Sequence, residues 1–219
     1  MKYRIKYLLL FLPALVLWGT AATMIAGYKA RIWNIGARES YPANLMSEGV
    51  TIAVNPLFND ALAAQVFDKN DIVTRGIMPL AVVIFNDNDH AIEVDGMSIQ
   101  LIRDEERIRT VTPGEVVSRL YGSGKSLLGQ PTSKFHNEKA LEDFDNKFLL
   151  HKPIAPHSKG GGFVYLPVYN AGNLASYLST ASVYIPNVYR QDDGSRLVFF
   201  EISLNAALPV AGFLHGSSH

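Results

Sequence analysis

The arrangement of apolar and polar positions divides the chain into an uncharged N-terminal run and a longer part that alternates between strand and helix periods. From Tyr7 to Tyr28 no charged residue occurs. Residues 28–48, YKARIWNIGARESYPANLMSE, sustain neither period and read as a linker. Val50 to Val54 alternates as a strand does and is stopped by Asn55-Pro56, after which Asn59 or Asp60 caps a short helix over ALAAQVF. IMPLAVVIF, from Ile77 to Phe85, is rich in β-branched and aromatic residues and predicts a strand. Asn86-Asp87-Asn88-Asp89 then predicts a turn, and AIEVD a returning strand. Pro79 has no N–H to offer a ladder, so it belongs near the start of its strand or on an edge. Met97 to Ile102 predicts another strand, with Met97, Ile99 and Leu101 on one side and Ser98 and Gln100 on the other.

Thr112-Pro113-Gly114-Glu115 has the form of a capping box, with proline at the first helical position, and predicts a helix through VVSRLY. Gly122 stands where a left-handed residue commonly closes a helix. A second helix is expected in NEKALEDFDNKFLL, where Leu141, Phe144, Phe148 and Leu149 recur at helical spacing and the charged residues form a solvated face. Gly160-Gly161-Gly162 reads as a hinge or bulge before the strand Phe163 to Tyr169, which Pro167 interrupts. Ala181 to Tyr189 and Leu197 to Leu204 flank the turn Gln191 to Ser195 as a hairpin, with Val198, Phe200, Ile202 and Leu204 on one face. These elements predict a mainly β chain: an antiparallel immunoglobulin-like sandwich with one to three short inserted helices, preceded by an N-terminal signal or membrane helix. The expected division is 1–27 signal peptide or membrane anchor, 28–48 linker, 49–206 sandwich domain and 207–219 C-terminal tail.

The succession IMPLAVVIFNDNDHAIEVDGMSIQLI, TPGEVVSRL, GGGFVYLPV and VYIPNVYRQDDGSRLVFFEISL resembles uncharacterised exported bacterial domains of the immunoglobulin-like sandwich kind, over roughly residues 49 to 205. The resemblance implies a fold and an envelope address. It transfers no site.

Composition narrows the chemistry. The 219 residues contain no cysteine, which excludes disulfides, thiolate metal sites, a cysteine nucleophile and lipid attachment to cysteine. Lys+Arg and Asp+Glu are 20 each, so no net field points to nucleic acid. Lys2, Arg4 and Lys6 precede YLLLFLPALVLW, and Gly19, Thr20, Ala21 and Ala22 follow it, in the order of a secretory signal. The uncharged run is also about as long as the ~20 residues a spanning helix needs, and Pro13 does not forbid one. Lys29, Arg31 and Arg38 on the far side balance the basic residues at the start, so a cleaved signal and an uncleaved anchor both remain open. Either places the rest outside the cytoplasmic membrane, in the periplasm if the source is bacterial.

Candidate active groups are each met by a simpler reading. LYGSGKSLLG, Leu120 to Gly129, contains Gly124-Lys125-Ser126, but a phosphate loop needs a glycine where Arg119 stands and a strand before it rather than a helix. No nucleotide is expected. His151 and His157 flank two prolines at a spacing that suits no metal pair, and Asn86 to His90 lacks the glycine and distal glutamate of a calcium loop. His136 precedes Glu138, Glu142, Asp143 and Asp145, a group that could be drawn as a histidine-carboxylate site, but at helical spacing most of these carboxylates read as the solvated helix face. Ser123 and Ser126 lack a nucleophile elbow, and Asp104-Glu105-Glu106 lies in a turn beside Arg103 and Arg107. No catalytic residue, metal or cofactor is therefore expected. The surface most suited to contact is the tyrosine-rich C-terminal third, with Tyr165, Tyr169, Tyr184 and Tyr189 as candidate interaction residues. The expected role is a non-catalytic envelope interaction or assembly module whose partners are other envelope proteins and, if the segment is uncut, the cytoplasmic membrane. The alternatives are a periplasmic carrier of an apolar ligand held between sheets by Phe163, Phe199 or Phe200 and, more distantly, a hydrolase.

Overall fold

The computed structural model describes residues 28–122, 133–150, 153–168 and 173–209. The chain is mainly β, with antiparallel strand pairing and a few short helices. The first sheet has the order β1-β2-β3-β7, from β1 (Asn44–Ser47), β2 (Val50–Pro56), β3 (Ile77–Asn86) and β7 (Ser158–Pro167). The second has the order β10-β8-β5-β6, from β10 (Phe200–Ser203), β8 (Ser182–Ile185), β5 (Gln100–Arg103) and β6 (Glu106–Arg109). A separate ribbon pairs β4 (Ile92–Val94) with β9 (Val188–Arg190). Ile52, Val54, Leu80, Val82 and Ile84 of the first sheet belong to the same buried cluster as Leu101, Val183, Ile185, Phe200 and Ile202 of the second.

The helices follow their local signals. Asn59 caps α1 (Asp60–Val66) by accepting from the Leu62 N–H. Thr112 and Glu115 form both halves of the capping box of α2 (Pro113–Tyr121): the Glu115 carboxylate accepts from the Thr112 N–H at 2.8 Å, and Thr112 Oγ1 accepts from the Glu115 N–H at 3.3 Å. Gly122 ends α2 at φ −53°, not in the left-handed region. Its glycine is required by space, since a Cβ there would strike the Ser118 carbonyl oxygen. α3 (Ser133–Lys147) buries Ala140 and Phe144, and the chain beyond it buries Phe148 and Leu149. α4 (Leu174–Leu178) buries both of its leucines.

Several expectations are corrected. Residues 28–48 are not a linker. β1 lies within them and pairs with β2 through a tight turn in which Glu48 and Gly49 both have positive φ, as a two-residue hairpin of this twist requires. Upstream, Trp33 and Ile35 pack on a small cluster formed by Tyr41, Ala53, Val83 and Phe85, so this segment covers one face of the first sheet. Lys159 Nζ donates to the carbonyls of Ile35 and Gly36 at 3.1 and 3.0 Å, and Arg38 grips both Asp87 carboxylate oxygens at 2.8 Å. At the other end, Asn205–Ala207 form a helical turn and Leu208 packs on the core, so the folded part runs past residue 206.

The turn after β3 does not return the chain alongside it, because β4 pairs with β9 instead. Asn86 stabilises that departure by donating to the carbonyls of His90, Ile154 and Ala155. Gly96–Ser98 form a helical turn rather than a strand, which leaves Met97 exposed while Ile99 and Leu101 are buried. The glycine triplet is not a hinge: it lies inside β7, opposite Ile84, Val83 and Val82 of β3. A Cβ on Gly162 would come within 2.8 Å of the Leu149 nitrogen and the Lys147 oxygen, so the triplet lets a second backbone approach the strand. Pro79 lies near the start of β3 as expected, opposite Tyr165 of β7 and one residue beyond the last β2 pair, Pro56 with Leu80. Of the hairpin face, Phe200, Ile202 and Leu204 are buried but Val198 is exposed, since pairing of β8 with β10 begins only at Phe200.

Candidate functional site

Alternation along the second sheet turns one set of side chains into the core and leaves the other set outward. Two cross-strand rungs result. Glu201, Tyr184, Gln100 and Arg109 stand opposite one another in turn, and beside them Ser203, Ser182, Ile102 and Arg107. The hairpin between β5 and β6 has Asp104 and Glu105 at its tip, with Asp104 at φ +52°; Arg107 shares the outward face with Ile102, while Arg103 and Glu106, a residue out of phase, lie at the end of the opposite face with Leu101 and Ile108. The Arg107 guanidinium lies 5.7 Å from the centre of the Tyr184 ring, and Arg103 lies 4.5 Å over Tyr177, which α4 presents. Tyr177 donates to the Glu106 carboxylate at 2.7 Å, Arg103 Nε donates to Thr180 Oγ1 at 3.0 Å, and Arg107 donates to Gln100 at 3.3 Å. Partial burial, then the bond to Glu106, pushes the Tyr177 phenol up to about 12. The Phe199 ring sits 5.6 Å from Tyr184 and is 56% exposed, next to Val198 at 42%.

Tyr184, Arg107 and Phe199 stand together on the outward face of the sheet. Flat rings held by guanidinium groups present area with little side-chain freedom left to lose, which is the property of interface anchors. The charged edge strand β6 alternates Glu106, Arg107 and Arg109, a composition that discourages indiscriminate strand pairing.

Of the four tyrosines expected at a contact surface, Tyr184 is on this face. Tyr165 is not at the surface at all: it is fully buried among Phe67, Phe144 and Phe148, and its hydroxyl donates to the Phe144 carbonyl at 2.8 Å. It faces the side of the first sheet that α3 covers, so alternation alone could not tell an exposed face from a covered one. Tyr189 is partly buried on the β4–β9 ribbon, opposite Glu93. Tyr169 lies outside the described residues. Sequence reasoning missed Phe199 and Arg107 as neighbours of Tyr184; the two-residue turn at Asp104-Glu105, which fixes the β5–β6 register, was the available signal.

The other candidate groups are dispersed. His157 Nε2 is 2.8 Å from an Asp89 carboxylate oxygen at an exposed position. Residues 123–132, His151 and the His136 side chain lie outside the described residues. Among the described residues no group of three or more His, Cys, Asp or Glu is placed to hold a metal ion. On α3, Glu138, Glu142 and Asp145 are exposed, but Asp143 is buried and is not part of a solvated face. Its carboxylate accepts from the Tyr28 hydroxyl at 2.6 Å and pairs with Lys147, whose ammonium lies 5.3 Å from the Phe67 ring centre. A cleft of about 370 Å³ lies between Ile77, Val111 and Arg119, and another of about 630 Å³ between α4 and Leu208. Neither is lined by Phe163, Phe199 or Phe200.

No family model matches the chain. No curated protein matches it. Solved structures similar to it include the yjhA protein from Bacillus subtilis, at 9% identity over 74% of this chain and 95% of that one, with a TM-score of 0.42. A functionally unknown protein from Listeria monocytogenes EGD-e is similar at 12% identity over 64% of this chain and 68% of that one, with a TM-score of 0.31.

Proposed function

We propose that this chain is a non-catalytic cell-envelope protein, an immunoglobulin-like β-sandwich that binds another envelope protein as an interaction or assembly subunit. The outward face of β5, β6 and β8 is the binding surface. The observation that carries the reading is the ring and guanidinium arrangement of Tyr184 and Arg107 beside exposed Phe199. The sandwich reading is supported by the single buried cluster shared by the two sheets and by the approach of β10 to β1 and β2 and of β6 to β7. The envelope address is supported by the basic, apolar and small-residue order of the first residues. Phe163, packed 4.7 Å from the Trp33 ring, and Phe199, turned to solvent, speak for this reading over a carrier of an apolar ligand.

The test is affinity capture with the detergent-solubilised full-length protein, run in parallel with the Tyr184→Ala and Phe199→Ala variants. A protein partner recovered by the parent and weakened about tenfold or more by either substitution is the expected result, since interface anchors are worth at least that much. Recovery of a lipid and no protein, or capture that neither substitution changes, would overturn the proposal.

A further inference from the structure

The path of residues 28–38 gives the folded part a definite end. Tyr28 donates to Asp143 of α3, the Lys29 N–H donates to Asp68 just beyond α1 at 2.8 Å, and Arg31 reaches the Ala64 carbonyl and Asp68. Ten residues later Arg38 is clamped on Asp87, which follows the last residue of β3. An extended chain advances at most ~3.3–3.6 Å per residue, and β3 at ~3.3 Å per residue is about 30 Å long. Between the two, Trp33 packs 4.7 Å from Phe163, opposite Ala81 midway along β3, and Lys159, opposite Phe85, donates to Ile35 and Gly36, so the segment runs along β3 and Tyr28 and Arg38 mark opposite ends.

The Tyr28 end also carries residues 68–76 and the close of α2. Lys69 lies 5.3 Å from the Tyr121 ring centre, and Arg119 donates to the Gly76 carbonyl, one residue before β3 begins. The far end carries the Glu48-Gly49 turn and Asp87 to Asp89, joined by Asn88 Nδ2 donating to the Glu48 carbonyl at 2.9 Å.

Immediately before Tyr28 lies the uncharged run that begins at Tyr7, 21 residues of chain with no acid or base among them. Tyr28, which directly follows that run in the sequence, is itself tied into the fold through Asp143.

We infer that the end of the molecule around Tyr28 lies against a lipid bilayer surface, with β3 and β7 rising from it and the turns at Glu48-Gly49 and Asp87 to Asp89 held ~30 Å farther out. The inference rests on the envelope reading with the N-terminal segment uncut. Exposed Lys29 at this end suits the anionic headgroups of such a surface, while Arg31 is held on Asp68. The posture leaves the far end of the domain for contacts away from the membrane.

The absence of cysteine makes the test direct, because one introduced cysteine can be labelled alone. Full-length Lys29→Cys and Asp89→Cys variants, carrying a fluorophore, are reconstituted into phosphatidylcholine and phosphatidylglycerol vesicles containing headgroup-attached nitroxide. Both sites are exposed, so labelling leaves the core intact. Expected are flotation with the vesicles and quenching several-fold greater at position 29 than at position 89. Flotation with equal quenching, or with the order reversed, would overturn the posture while leaving the anchor in place. A protein that stays behind when the vesicles float would overturn the uncut anchor and the posture with it.

Discussion

Asp143 shows how one residue changes meaning between the chain and the fold. In the sequence it reads with its neighbours Glu142 and Asp145 as a solvated carboxylate, yet it is only 5% exposed, and its partners are Lys147 one turn away and Tyr28, 115 positions earlier. Two charges held out of water depend on each other: removing one costs about 3–5 kcal/mol, whereas replacing both with apolar groups of similar size is often neutral. Asp143→Ala is therefore expected to lower stability by about 3 kcal/mol, and Tyr28→Phe by about 2 kcal/mol. The pair Asp143→Leu with Lys147→Met is expected to recover most of the loss. Urea denaturation of the four proteins reads the coupling, and equal losses for single and double variants would contradict it.

Among the elements, β7 departs furthest from its sequence signal. Three successive glycines weaken a strand, and their reading as a hinge follows from backbone freedom alone. In the fold they are spacing residues in a strand that takes a neighbour on each side: β3 on one, and the chain at Phe148 and Leu149 on the other, where the Leu149 N–H donates to the Phe163 carbonyl at 2.8 Å. The three positions differ in what they face. A methyl on Gly162 meets backbone atoms of Lys147 and Leu149, which cannot move without breaking the bridge, while a methyl on Gly160 meets the end of the Ile154 side chain, which can turn away. Gly162→Ala is expected to cost about 1–3 kcal/mol, as overpacking does, and Gly160→Ala less. Thermal denaturation of the two variants orders them, and a larger loss at Gly160 would refute the assignment. By contrast, α1 and α2 were legible from a cap and a capping box, because each signal and the group it satisfies lie within a few residues.

For the molecule as a whole, one end concentrates buried phenols. Burial pushes Tyr121 up from 10.0 to about 12, with nearby Asp68 and Asp71 adding to it. Burial also holds Tyr28 and Tyr165 further above the ordinary range, Tyr28 with help from its bond to Asp143. The folded state thus keeps protons that the unfolded chain releases near pH 10, so stability is complete below that pH and falls as pH rises through 10 to 12. Urea midpoints measured across this window should decline, and Tyr121→Phe should make the decline shallower. A midpoint constant to pH 12 would contradict the burial of these groups.

Sequence by itself determined the strand-rich class, the positions of β2 and β3, the start of both capped helices and the uncharged run ahead of Tyr28. Each is a matter of local period, propensity or capping, decided over a few consecutive residues. Only the tertiary structure decided that residues 28–41 cover a sheet, that β4 pairs with β9, that Tyr165 and Asp143 are buried, and that Arg107, Tyr184 and Phe199 form one surface. Strand period says which residues share a face, but what covers that face is settled by chain segments far away in sequence.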